Sequence, residues 1–132
     1  MRVPIVTLAL ISLLPSAAHA QKKWKQIGTT SSGNPVYVDP RSVKKSGSLV
    51  DATVRVVFTK PVVTPKGEWM SARTAATFDC AKKSLAAKEN VYYGDAKETK
   101  VVERKVNKIP GFGPALGGSL GGVALDYFCS AK

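Results

Sequence analysis

Few residues of this 132-residue chain have side chains that could do chemistry. Its single histidine is His19, and its two cysteines are Cys80 and Cys129. No two carboxylates stand at a spacing that would hold them together for acid–base catalysis, and Asp39 is the best single candidate. Asp39 precedes Pro40, where an aspartate commonly accepts backbone N–H bonds in a turn, so a structural role is favoured. We therefore expect no enzyme activity, no metal site and no cofactor.

The N-terminal segment has the pattern of a secretory signal peptide. Met1 and Arg2 precede the apolar run "VPIVTLALISLLP", and Ala18-His19-Ala20 gives a small-x-small cleavage motif. This pattern predicts a signal peptide over residues 1–20 and a mature domain over residues 21–132. The apolar run is shorter than the ~20 residues of a spanning helix, so we expect no transmembrane segment after cleavage; an N-terminal membrane anchor is the alternative. No cysteine lies near the cleavage site, which argues against a lipoprotein and predicts a periplasmic or secreted protein.

Export changes how the cysteines are interpreted, because exported compartments allow disulfides to form and persist. A bond between Cys80 and Cys129 is expected, and on the chain-entropy model closing a loop of about 50 residues stabilises by roughly 4 kcal/mol. A disulfide between chains and two buried free thiols are the alternatives. Since His19 leaves with the signal peptide, the mature domain has no imidazole. Paired cysteines would also be lost as nucleophiles and zinc ligands.

The charge balance is strongly basic, with a formal net charge of +11. A positive field of this size favours anionic partners such as membrane headgroups, acidic polysaccharides, or phosphate and sulfate groups on a surface, although it can also serve solubility alone. Nucleic acid is not expected as the partner of an exported protein. The candidate binding residues are basic or aromatic, and they are Trp69, Arg73, Lys22, Lys23, Lys25, Lys82 and Lys83, with a further lysine pair at Lys44-Lys45.

Alternation of apolar and polar residues predicts a sheet of about five to six antiparallel strands. The clearest case is "SLVDATVRVVFTK", residues 48–60, where Val50, Val54 and Phe58 share one face. Further strands are predicted over residues 24–27, 36–38, 68–80, 84–93 and 98–106, with Trp24 in the core. Pro61 indicates a break after the first long strand. Asp79 is expected to form a surface ion pair with Arg73 or a lysine.

The C-terminal segment has a helical period instead. Leu120, Val123, Ala124, Tyr127 and Phe128 form one apolar stripe, and Ser119 is a suitable N-cap. A helix of about three turns is too short to be stable alone in water. A bond from Cys129 to Cys80 would attach it to the sheet; an extended strand is the alternative.

Several segments together resemble the surface-adhesin protein E-like domain of Gram-negative bacteria. They are Trp24, "VYVDPRSV", "TFDCAKKS", "VYYGD" and "GGSLGGVALDYFC", in this order. The resemblance implies an α+β fold, in which a single antiparallel sheet carries a C-terminal helix packed on one face and disulfide-linked to it. It also implies an envelope location; the best-known members are lipid-anchored, bind host matrix and plasma proteins, and are sometimes dimers.

The expected function is therefore an exported, non-catalytic envelope binding module of adhesin type that contacts anionic or matrix-protein partners, with a homodimer as a possible state. The alternative is a periplasmic accessory, structural or inhibitor protein that packs against an envelope complex.

Overall fold

The long alternating segments form a hairpin that is the centre of the molecule. The computed structural model describes residues 24–130. The strands are β1 (Lys25–Thr29), β2 (Pro35–Val38), β3 (Lys44–Ser46), β4 (Leu49–Thr64), β5 (Gly67–Asp79), β6 (Ser84–Tyr93), β7 (Val101–Val106) and β8 (Gly113–Pro114). A 3-10 turn spans Pro40–Ser42, and one helix, α1, spans Leu120–Ser130. The predicted signal peptide lies outside the described residues.

All strand pairs are antiparallel, and six strands follow the order β1-β2-β4-β5-β6-β7. The short strand β3 pairs with β4, and β8 pairs with β6. The predicted fold class is confirmed, but the sheet has eight strands within residues 24–130 rather than five to six. The predicted number of strands was too low because β3 has three residues and β8 has two, which is too few to show an alternating pattern.

The predicted break at Pro61 is wrong in one respect, because β4 continues through it to Thr64. The register between β4 and β5 shifts between Val57 and Val62. Such an irregularity leaves residues outside the hydrogen-bonded ladder, which is where a strand can accept a proline. The β4–β5 hairpin therefore continues past Pro61 to its turn, where Thr64 pairs with Gly67.

The core lies on one face of the sheet, under α1. Val50, Val54 and Val56 of β4 are each at most 3% exposed, as the alternation predicts. Phe78 of β5 packs against Phe128 of the helix, with ring centroids 5.1 Å apart. The face with the predicted apolar residues is thus the face on which the helix packs.

The helix begins as the sequence predicts, with Ser119 as N-cap. The Ser119 hydroxyl accepts a hydrogen bond from the backbone N–H of Gly122 at 3.1 Å. Gly121 and Gly122 weaken the intrinsic helix propensity, but a Cβ on Gly121 would overlap Leu85, and one on Gly122 would overlap the Leu116 carbonyl group. The two glycines therefore allow the helix to lie close to its neighbours.

The predicted disulfide is confirmed. Cys80 directly follows β5, Cys129 lies in the last turn of α1, and their Cα atoms are 5.3 Å apart, within the usual range for a disulfide. The bond joins the end of the helix to the sheet. Between residues 24 and 130, no helix is both long and apolar enough to cross a membrane.

Candidate binding surface

The face of the sheet opposite the helix carries a buried ionic cluster. Arg55 of β4 and Arg73 of β5 are register partners, an arrangement that is unfavourable for two like charges. Glu98 lies between them: Arg55 Nε is 3.0 Å from Glu98 Oε1, and the Arg73 guanidinium forms an ion pair with Glu98 Oε2. The Glu98 side chain is 8% exposed. One carboxylate thus neutralises half of the charge of two adjacent arginines.

The loop between β6 and β7 positions this carboxylate. The Asp95 carboxylate accepts hydrogen bonds from the hydroxyl group and from the backbone N–H of Thr99. Both bonds lower the pKa of Asp95, and the bond from the hydroxyl group has the larger effect. The Asp95 carbonyl group accepts a hydrogen bond of 2.7 Å from the buried Ser71 hydroxyl. Glu98 itself has a left-handed backbone, with φ at 60°. The loop is therefore fixed at both its own turn and the sheet.

Aromatic rings surround the arginines of the cluster. The ring of Trp24 lies 5.6 Å from the guanidinium carbon of Arg55 and 5.3 Å from that of Arg73. Tyr37 and Tyr93 lie at 5.8 and 5.9 Å from Arg55 and Arg73, respectively, and all four distances suit cation–π contacts. Trp24 is partly buried on this face, so its predicted place in the hydrophobic core is wrong.

A hollow of about 230 Å³ lies beside the cluster. Its lining combines cationic, anionic and aromatic groups: Thr53, Arg73, Ala75, Glu89, Val91, Tyr93 and Arg104. Within it, Arg104 forms an ion pair with Glu89. Arginine forks and aromatic faces are groups that recognise carboxylates and other planar polar groups. The hollow therefore presents such groups, with Arg73 and Arg104 each already paired with a carboxylate of the chain.

The residues predicted from sequence do not form one patch. Arg73 lies in the ionic cluster, whereas Trp69 is partly buried and stacks on Tyr92 with ring centroids 3.8 Å apart. Lys25 is on the helix side, where its Nζ donates a hydrogen bond of 3.1 Å to Tyr127 Oη. Lys82 and Lys83 are exposed in the turn between β5 and β6. Lys22 and Lys23 lie outside the described residues.

The two aspartates singled out from sequence both have structural partners. The Asp39 carboxylate accepts a hydrogen bond of 3.0 Å from the Arg41 backbone N–H, which is the expected turn cap. Asp79 is 9% exposed and accepts from two backbone N–H groups of the following turn. The predicted surface ion pair of Asp79 is therefore wrong, and Arg73 pairs with Glu98 instead. Among residues 24–130, no group of three or more His, Cys, Asp or Glu side chains could hold a metal ion.

Sequence reasoning missed Arg55 and Glu98. Arg55 pairs with Arg73 because the strand register of the β4–β5 hairpin shifts once before it reaches them. No local sequence pattern shows that shift. Glu98 is in a loop, where neither period two nor period 3.6 applies. The available signal was a residue alternation that placed Arg55 and Arg73 on the polar faces of adjacent strands.

These features define a class of protein: a small, disulfide-linked α+β domain that carries a cluster of arginine and aromatic side chains on the sheet face opposite its helix. The family model of surface-adhesin protein E matches residues 24–130, and the chain belongs to this family. The resemblance found in the sequence is thereby confirmed, and the chain is an adhesin-like envelope protein. No helix spans a membrane in the described part, and the family suggests an exported or surface location.

Solved structures of Haemophilus influenzae protein E have a similar fold. One is 15% identical, covers 83% of this chain and 86% of that chain, and has a TM-score of 0.53. A second crystal form is 17% identical, covers 72% and 80% of the two chains, and has a TM-score of 0.52. Comparison with curated protein sequences finds no match. At such identities the similarity shows the fold alone, so the binding residues must be argued from this chain.

Proposed function

We propose that this chain is a non-catalytic, exported binding module whose partners are acidic, either a matrix protein or an anionic polysaccharide. The observation that carries the proposal is that most of its carboxylates are already bonded within the fold. Three of the nine acidic residues, Asp39, Asp79 and Asp95, accept backbone N–H bonds in turns. Four others, Asp51, Glu89, Glu98 and Glu103, are in ion pairs.

Only Glu68 and Asp126 remain outside these two groups. Six cationic side chains take part in the ion pairs of the described residues, and they are Arg55, Lys66, Arg73, Lys88, Arg104 and Lys105. Most other lysines are exposed with no ion-pair partner between residues 24 and 130. The excess charge is therefore presented to solvent, where a positive field increases the association rate of acidic partners.

The test is binding of the mature, oxidised protein to immobilised heparin and to matrix protein over a range of NaCl concentrations. We expect retention at low salt that weakens steeply as salt is raised, because ions screen exposed charges within about 10 Å at 0.1 M. No retention on either surface at low salt would contradict the proposal.

Two double variants separate the sign of the charge from the shape of the side chains. Lys82→Glu with Lys83→Glu should reduce the NaCl concentration needed for elution, whereas Lys82→Arg with Lys83→Arg keeps the charge and should leave it unchanged. If both variants elute like the parent protein, this turn does not contribute. A pull-down from envelope extracts that recovers one stoichiometric partner at high salt would instead favour an accessory role in an envelope complex.

The location can be tested in the producing cell. Protease treatment of intact cells should degrade a protein displayed on the outer surface, and the same protein should survive if it is confined to the periplasm. Confinement to the periplasm would exclude host matrix as the partner and would leave acidic envelope components.

A further inference from the structure

A second hollow lies on the helix side of the sheet, where the sheet edge is interrupted. Strands β2 and β3 both pair with β4, one after the other, and the 3-10 turn Pro40–Ser42 separates them. Tyr127 and Phe128 of α1 lie beside this interruption. The result is a hollow of about 220 Å³, lined by Lys25, Val38, Pro40, Val43, Lys45, Tyr127 and Phe128.

The hollow has an apolar base and a cationic rim. Val38 is 2% exposed and Phe128 is 6% exposed, and both belong to the hydrophobic core. Lys25 is the register partner of Val38, and Lys45 is the register partner of Val50. Because directly opposed residues of an antiparallel pair point to the same face, both lysines extend on the side of the helix.

Hydrogen-bond donors dominate the rim. Lys25 Nζ donates to Tyr127 Oη at 3.1 Å and lies 5.6 Å from the centroid of that ring. The Tyr127 hydroxyl can still donate its own hydrogen. Lys45 has no ion-pair partner in the part of the chain that the structure describes, and no carboxylate lines the hollow. Two ammonium groups and a phenol thus surround an apolar base without an anion.

We infer that this hollow binds a carboxylate carried on one compact apolar group, such as an aromatic acid or the C-terminal phenylalanine of a peptide. The apolar base would take the ring, and Lys25, Lys45 and Tyr127 would take the carboxylate through charge-assisted hydrogen bonds. The volume is below the ~300 Å³ at which drug-sized pockets begin, so the hollow suits a ligand with one ring and its carboxylate. The inference rests on the proposed function and names a ligand class at one site.

The test is a titration of the isotopically labelled mature protein, followed by heteronuclear NMR. The probes are 3-phenylpropionate and its uncharged counterpart, 3-phenylpropanamide. We expect 3-phenylpropionate to shift the amide resonances of Val38, Val43 and Phe128, and to bind about tenfold more tightly than the amide. A tripeptide ending in phenylalanine, with a free or an amidated C-terminus, distinguishes a peptide terminus from a free acid as the source of the carboxylate.

Two double variants with the same change in net charge provide the control. Lys25→Gln with Lys45→Gln should weaken 3-phenylpropionate binding by about tenfold, whereas Lys82→Gln with Lys83→Gln should leave it unchanged. Tyr127→Phe should cause a smaller loss. The four lysines are exposed, so the variants should fold, which the dispersion of the remaining resonances verifies.

Three results would overturn the inference: equal affinity for acid and amide, resonance shifts confined to other parts of the sheet, or equal losses in the two double variants. Each of these can occur while retention on heparin persists, so the inference can fail without the proposed function. Loss of heparin retention with intact 3-phenylpropionate binding would be the opposite case.

Discussion

Replacement of Glu98 by glutamine tests the role of the ionic cluster in stability. Glutamine keeps the size of the side chain and removes its charge. Arg55 and Arg73 would then stay directly opposite each other on adjacent strands, without the carboxylate that lies between them. We expect the substitution to destabilise the fold, because two like charges would be held together in a site that is mostly closed to water.

The magnitude follows from the burial of the three side chains. Removing one partner of a fully buried ion pair costs about 3–5 kcal/mol. Here the side chains of Arg55 and Arg73 remain 15% and 25% exposed, so solvent screens part of the repulsion. We therefore expect Glu98→Gln to lower the free energy of unfolding by about 2–3 kcal/mol, which corresponds to a fall in Tm of roughly 10 °C for a domain of this size.

The assay is urea and thermal denaturation of the oxidised protein at low and high NaCl concentration. Salt should restore part of the lost stability, because it screens the two guanidinium groups. Glu89→Gln is the matched control: in the Glu89–Arg104 ion pair the arginine is exposed and the glutamate is only half-buried, and its loss should cost less than about 1 kcal/mol. Equal effects of the two substitutions, or a loss at Glu98 that salt leaves unchanged, would refute the reasoning.

Three further outcomes are expected. Replacing Cys129 by serine and Cys80 by alanine should lower the free energy of unfolding in urea by about 4 kcal/mol, from the loop-closure entropy of the 49-residue separation. Gly122→Ala should destabilise the fold, although alanine favours helices, because its Cβ would overlap a backbone carbonyl group. Gly117→Ala is the control, because a Cβ there meets open space. Differential scanning calorimetry compares the Tm values of the two variants. The hydrogen bond from Thr77 is the largest cause that lowers the pKa of Asp51. The ionised Asp51 carboxylate therefore stabilises the fold at pH values above its unfolded-state pKa, and this stabilisation is lost as the pH falls through the lower folded-state pKa. An NMR titration of the Thr77→Val variant should show a higher pKa for Asp51.

The fold was predictable where it depends on local pattern. Val50, Val54 and Val56 alternate with polar residues over a long segment, and that pattern alone fixes the buried face of β4. The helix was predictable from its apolar stripe and from Ser119. The strands β3 and β8 were not, because they are held by pairing with longer neighbours, and the glycines of α1 make sense only once Leu85 and Leu116 are placed beside them.

The candidate binding residues were predictable only as residue types. The sequence indicated Arg73 and Lys25 by charge, but their surroundings depend on which residues lie opposite them. Arg73 is beside Arg55 because of a hairpin register that shifts between Val57 and Val62. Lys25 and Lys45 line one hollow because a 3-10 turn separates β2 from β3. Such relations arise from tertiary pairing, which no single segment encodes.

The geometry of this fold leaves much of the sheet surface outside the area that the helix covers. Six strands about 4.8 Å apart span roughly 24 Å, whereas an α-helix is about 10–12 Å wide, so one helix covers only part of one face. The rest of that face and the whole opposite face must be covered by loops or left open. Here the loop that carries Glu98 covers part of the opposite face. The protein E structures share the fold at 14–17% identity, which alternation and a packed helix can maintain without particular surface residues. A partner of this chain must therefore be identified from its own arginines, lysines and aromatic side chains.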